Sequence, residues 1–162
     1  MPQMKTCSEI LLDDLLTITA IPLGDVSIGT AVWQITPTIP KDEFSPTLDN
    51  AVDIGRHQGE ANTFVTMSRN SGKAKDDTGD SVAGRLHTVS VKCKVDDRDG
   101  SVRDTLLMLE RTPHHLLLTF LGEQQAFVQA TKDNYACTVE RDGAETSVAF
   151  KVYNIMGVQL LV

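Results

Sequence analysis

The segment from Leu116 to Val162 constrains the fold more than any other part of the sequence, because strand-like stretches follow one another there with only turn residues between them. Leu116 to Leu121 ends at Gly122, and Ala126 to Thr131 ends at Lys132-Asp133-Asn134. Tyr135, Cys137 and Val139 share one face of the next stretch, which reaches Arg141-Asp142-Gly143; Val148, Phe150 and Val152 share one face of Thr146 to Tyr153. Gly157 then admits a last strand, Val158 to Val162. Alternation of apolar and polar residues is the period of a half-buried strand, and Asp, Asn and Gly are the residues that turns demand. The spacing predicts an antiparallel β-meander, with the apolar end Leu160-Leu161-Val162 tied into a sheet or an interface.

Upstream, Val89, Val91, Cys93 and Val95 alternate with Ser90, Lys92 and Lys94, which predicts another strand, followed by a turn at Asp96–Gly100. Ser101 and Asp104 have capping-box spacing, and Val102, Thr105, Leu106 and Leu109 fall on one helical face before Pro113, predicting a helix at about 101–111. Ser8 to Leu16 reads as a short helix. Thr17 to Ile21, Thr30 to Thr36 (with Trp33, the sole tryptophan) and Asn62 to Met67 read as strands. Residues 37–60 and 68–84 lack periodicity and read as long irregular loops, which in compact domains carry function or are disordered. The predicted fold is mainly β (α+β): an antiparallel β-sandwich or barrel with one flanking helix, as a single domain over 1–162.

Charge and cysteine usage bound the function classes. The net charge is −7, and residues 1–60 contribute −6 of it, with nine carboxylates against Lys5, Lys41 and Arg56. Neutralising phosphates takes clustered Lys and Arg; no stretch of sequence supplies a cluster, so tight nucleic-acid binding is not expected. Cys7, Cys93 and Cys137 are far apart and odd in number, which points to a reduced compartment rather than a disulfide scaffold or zinc site. Cys93 and Cys137 fall on apolar strand positions and read as small hydrophobes. The apolar run Ile10–Leu16 is split by Asp13 and Asp14, and none approaches the ~20 residues that span a bilayer, so neither signal peptide nor transmembrane segment is expected.

The chemical motifs fail one by one. Gly24 to Thr30 has phosphate-loop glycine spacing without the lysine. Asp96–Gly100 resembles a calcium loop, but in that register the first and twelfth ligand positions are Val95 and Leu106. A looser cation site from Asp76, Asp77 and Asp80 reads better as a solvated polar loop. His114 and His115 are adjacent, so in a strand they point to opposite faces and cannot share a metal. His57 and His87 have no evident partner, Ser81 lacks the G-x-S-x-G elbow, and Cys137 lies inside a strand. Glu110 and Arg111 read as solvated surface charges. No catalytic, cofactor-binding or metal-ligating residues, no cofactor, no small-molecule substrate and no enzymatic activity are expected.

The order of elements (Val89 to Val95, Ser101 to Arg111, Leu116 to Val162) together with the stretches 37–60 and 68–84 resembles the tail-tube proteins of long-tailed phages and related injection machines. The segment CTVERDGAETSVAFKVYNIMGVQLLV also resembles prophage structural proteins of gut bacteria. The resemblance implies a small β-sandwich whose long loops lock subunits into rings or tubes. It further implies homo-oligomerisation, other virion proteins as partners, and a location in the virion or, during assembly, the host cytoplasm. An acidic chain suits a conduit that must not hold phosphates. The alternative class is a β-sandwich binding module recognising a small ligand or protein through loops 37–60 and 68–84, around Trp33 and Phe44.

Overall fold

A computed structural model describes residues 9–12, 15–28, 38–81, 84–143 and 145–162. Two sheets stack face to face. The five-stranded sheet is antiparallel throughout, in the order β1 (Glu9–Leu12), β8 (Lys73–Ser81), β9 (Gly84–Val95), β13 (Glu145–Asn154), β12 (Tyr135–Asp142). The seven-stranded sheet runs β4 (Thr38–Ile39), β14 (Val158–Leu161), β11 (Gln125–Val128), β10 (His114–Phe120), β2 (Leu15–Pro22), β6 (Val52–Gly55), β7 (Thr63–Thr66). Its outermost pairings, β14 with β4 and β6 with β7, are parallel. A ribbon of β3 (Val26–Ile28) and β5 (Phe44–Pro46) completes the strands. The mainly-β sandwich with one flanking helix expected from the sequence is the fold observed.

Two apolar cores organise the layers. Ile18, Leu116, Leu118 and Val128 of the seven-stranded sheet meet Val89, Val91, Val148 and Phe150 of the five-stranded sheet, and all are buried. On the other face of the seven-stranded sheet, Ile21, Leu117, Phe127 and Leu161 are roofed by Val26, Ile28, Phe44 and Leu48. Segment 38–51, with β3, is therefore a cover over the second face. Central strands buried on both faces read as continuous apolar runs, as Leu116-Leu117-Leu118 does; strands with one wet face alternate, as β13 does.

This difference overturns the meander. The β10–β11 hairpin belongs to the seven-stranded sheet and the β12–β13 hairpin to the five-stranded one, where β13 lies between β9 and β12; β14 then crosses back to pair with β11. The short opening helix is also corrected: Glu9–Leu12 is a strand, and Leu15 and Leu16 extend the strand expected from Thr17 to Ile21, because β2 is held between β10 and β6, where tertiary pairing overrides the helix propensity of the two leucines. Residues 68–84 are not an irregular loop, since Lys73–Ser81 pairs along its whole length with β9. Residues 37–60 contain β4, β5, β6 and a 3-10 turn at Lys41–Glu43. The predicted strand Thr30 to Thr36 and Trp33 lie outside the described residues.

Helix α1 (Gly100–Arg111) buries Leu106 and Leu109 in the first core. Its cap is Asp99, whose carboxylate accepts from Ser101 N at 3.0 Å, rather than the expected Ser101–Asp104 box. Near the other end Tyr135 donates its hydroxyl proton to the Leu109 carbonyl at 2.7 Å, satisfying a carbonyl in the last turn. The preceding turn is fixed by buried Asp97, which accepts from Arg141 Nε at 2.7 Å, while Arg103 Nε donates to the Asp97 carbonyl. Hydrogen bonding from Thr146, and then from Arg141, holds the Asp97 carboxyl below the usual range.

Candidate functional site

The most distinctive surface is the outer face of the five-stranded sheet, and its residues follow from register. Lys73 pairs with Lys92, which pairs with Ala149; Lys75 pairs with Ser90, which pairs with Lys151. Cross-strand partners share a face, and the alternate residues Ala74, Val89 and Val91 are buried, so these lysines all project outward. Lysines that no stretch of sequence clusters are thus clustered in space.

At one end of this face lies a cleft of about 440 Å³, lined in part by Arg69, Lys73, Lys92, Lys94, Ser71 and Ser147. Its rim, residues 68–72, is stitched to β9: Ser68 N donates to the Lys94 carbonyl at 2.7 Å, and Lys94 N donates to Ser71 Oγ at 3.0 Å. The turn passes through Asn70 at φ 60°, a left-handed conformation that Asn tolerates better than most residues. Lys94 lies 3.7 Å from Glu145 and Lys75 lies 3.4 Å from Asp77, partly exposed pairs that contribute little. Among the described residues Arg69, Lys73, Lys92 and Lys151 have no carboxylate partner, and Lys73 and Lys92 oppose each other directly, an arrangement that repels.

The inner face of the same sheet holds a second polar group. His87 Nδ1 lies 2.9 Å from Asp76 Oδ1, so His87, which seemed partnerless in sequence, has a buried carboxylate beside it. Thr78 Oγ1 is 3.5 Å from the same ring nitrogen. A nucleophile relay needs carboxylate and hydroxyl on opposite ring nitrogens, and here both converge on Nδ1. The other Asp76 oxygen accepts from Val158 N at 3.0 Å, and Asn154 donates to the Gln129 carbonyl at 2.9 Å. The group pins the chain where it crosses between sheets.

The remaining sequence candidates disperse. Asp76 points inward while Asp77 faces outward beside Lys75, so the looser cation site does not assemble; Ser81 ends β8. In the Asp96–Gly100 turn, Asp96 binds Arg98, Asp97 binds Arg141 and Asp99 caps the helix. His114 and His115 do face opposite ways, toward Tyr135 at 6.2 Å and Phe127 at 5.3 Å between ring centroids. Burial pushes both imidazoles below the ordinary histidine value. Burial likewise pushes the thiols of Cys93 and Cys137 up to about 12. Phe44, half-buried, packs against the second core, with its ring centroid 4.8 Å from that of Phe127. His57, Glu110 and Arg111 are exposed; Cys7 lies outside the described residues.

The lysine face was missed because Lys73-Ala-Lys-Asp-Asp-Thr-Gly-Asp reads as loop; only the Ser90, Lys92, Lys94 alternation hinted at it. The chain matches no family model, no curated protein and no solved structure. No helix among the described residues is long and apolar enough to cross a membrane.

Proposed function

We propose that the chain is a structural, self-assembling subunit, a phage or prophage virion component of tail-tube type that forms rings or tubes with copies of itself and with other virion proteins, and works without catalysing a reaction. The observation that carries this reading is the edge strand β1. It pairs with β8 on one side only among the described residues, and its sequence, Glu-Ile-Leu-Leu, has neither the Lys nor the Pro that blunts an exposed edge. Such an edge is a template for a strand from another chain, and a ring that continues its sheets from subunit to subunit uses it. Leu86, Tyr153 and Ile155, exposed by 38%, 38% and 52% toward one end of the same sheet, add apolar surface of the kind interfaces bury.

The binding-module alternative has less to rest on, because residues 68–84 are mostly strand and Phe44 is half-buried against the second core. Negative-stain microscopy and light scattering on the concentrated protein test the reading. Rings, tubes or a discrete oligomer are expected, and Leu11→Lys, which places a charge on the edge, is expected to weaken them. A strict monomer at every concentration overturns it.

A further inference from the structure

The two outer surfaces of the molecule carry opposite charge. The outer face of the five-stranded sheet bears six cations, Arg69, Lys73, Lys75, Lys92, Lys94 and Lys151, against the carboxylates Asp77, Glu140 and Glu145, and register sets Glu9 opposite Asp77 and Asp142 opposite Glu145. On the far side, beyond the seven-stranded sheet, the cover formed by residues 23–28 and 38–51 bears Asp25, Asp42, Glu43 and Asp49 against Lys41 alone. Asp42 and Asp49 are exposed, and Asp25 and Glu43 are half-buried. A net charge of +1 therefore stands on one face, with its cations gathered around the cleft, and −3 on the other, separated by two sheets and two apolar cores.

We propose that the outer face of the five-stranded sheet docks on the cover of a second copy, with Arg69, Lys73, Lys92 and Lys151 set against Asp25, Asp42, Glu43 and Asp49. This rests on the self-assembly reading and adds which surfaces meet. Among the described residues the four cations have no carboxylate partner, and anions brought by a second copy would relieve the Lys73–Lys92 opposition. The complementary surface is present on every other copy. Because the two surfaces are different and lie on opposite sides, the contact is heterologous and propagates head to tail instead of closing as a two-fold dimer. A nucleic acid is the poorer occupant: the molecule as a whole carries −7, and five carboxylates share the face with the cations.

Charge reversal on the full-length chain tests this, with assembly read by light scattering in low and high salt and folding checked by circular dichroism. Wild type is expected to assemble more weakly as salt rises. Lys73→Glu with Lys92→Glu, and separately Asp42→Lys with Asp49→Lys, are each expected to lower the assembled fraction about tenfold or more at equal concentration, since juxtaposed like charges oppose association. An equimolar mixture of the two variants is expected to recover assembly. Lys73→Gln with Lys92→Gln provides a milder pair if reversal disturbs the fold. Wild type that assembles while every charge variant behaves identically overturns the docking mode and leaves self-assembly standing. Failure of the mixture to recover overturns the pairing of these two surfaces. A wild type that never assembles sinks both readings. If Lys73→Glu with Lys92→Glu abolishes retention of a DNA duplex and leaves assembly intact, the face belongs to nucleic acid and the proposal is wrong.

Discussion

The backbone N–H of Val158 donates to the carboxylate of Asp76 at 3.0 Å, joining residues 82 apart where the chain crosses from one sheet to the other. Gly157 makes the approach possible. It sits at φ +66°, and a Cβ there would lie 2.5 Å from Asp76 Oδ2 and 2.5 Å from His87 Nδ1. Gly122 has φ +86° but open space around it. Gly122→Ala should therefore lose only the ~1–2 kcal/mol of a left-handed alanine, and Gly157→Ala about twice that or more, because the Asp76–His87 pair must also move. Urea unfolding of the two variants compares them; equal losses would remove the steric argument.

His114 and His115 set a pH dependence. Their folded values lie below the unfolded value near 6.5, so the unfolded chain takes up protons first as pH falls. Their neutral forms support the fold fully above that unfolded value, and the support drains away as pH drops from there toward the folded values. Thermal unfolding followed from pH 7.5 to about 5.5 should show a falling midpoint. The double variant His114→Gln, His115→Gln should be less stable at neutral pH yet flatter over this window; an unchanged slope would assign the dependence elsewhere.

Cys93 and Cys137 are held as thiols. A shift from 9.0 to about 12 lowers the thiolate fraction at mildly alkaline pH by roughly a thousandfold, and both groups are buried. In a Cys7→Ser background, the native protein should leave a thiol-reactive dye almost unconsumed, and denaturant should release two equivalents. Rapid labelling before unfolding would contradict the packing of both residues.

Asp53 is buried and accepts from Thr19 Oγ1 at 2.6 Å and from Ala61 N at 3.3 Å. Asp53→Ala strands both donors, and an unmet buried donor costs about 1–3 kcal/mol. Chemical denaturation should show a loss in that range, larger than for the exposed Asp49→Ala, which should stay within about 0.5 kcal/mol.

The alternation of β9 and β13, the helix near 101–111 and the opposite facing of His114 and His115 were legible because each depends on neighbours in sequence. The partition between sheets was not. Its trace was present in Leu116-Leu117-Leu118, an apolar run with no wet face, set beside the strict alternation of Thr146 to Tyr153. Register decides what alternation cannot: Lys73 meets Lys92 and His87 meets Asp76 only because β8 folds back on β9 in one particular alignment. The polarity of Lys73–Ser81 concealed that strand, since its solvent face is charged and its buried face carries Asp76.

The placement of β2 has a consequence for synthesis on the ribosome. Ile18 lies opposite Leu118 on one side and Ile54 on the other, so this apolar strand waits one hundred residues for its second neighbour. At about 5–20 residues per second, that leaves Leu15–Pro22 incompletely paired for roughly 5–20 seconds on each nascent chain. Over that interval the unpaired side of the strand is open to other strands, so slower synthesis should lower the yield of folded protein.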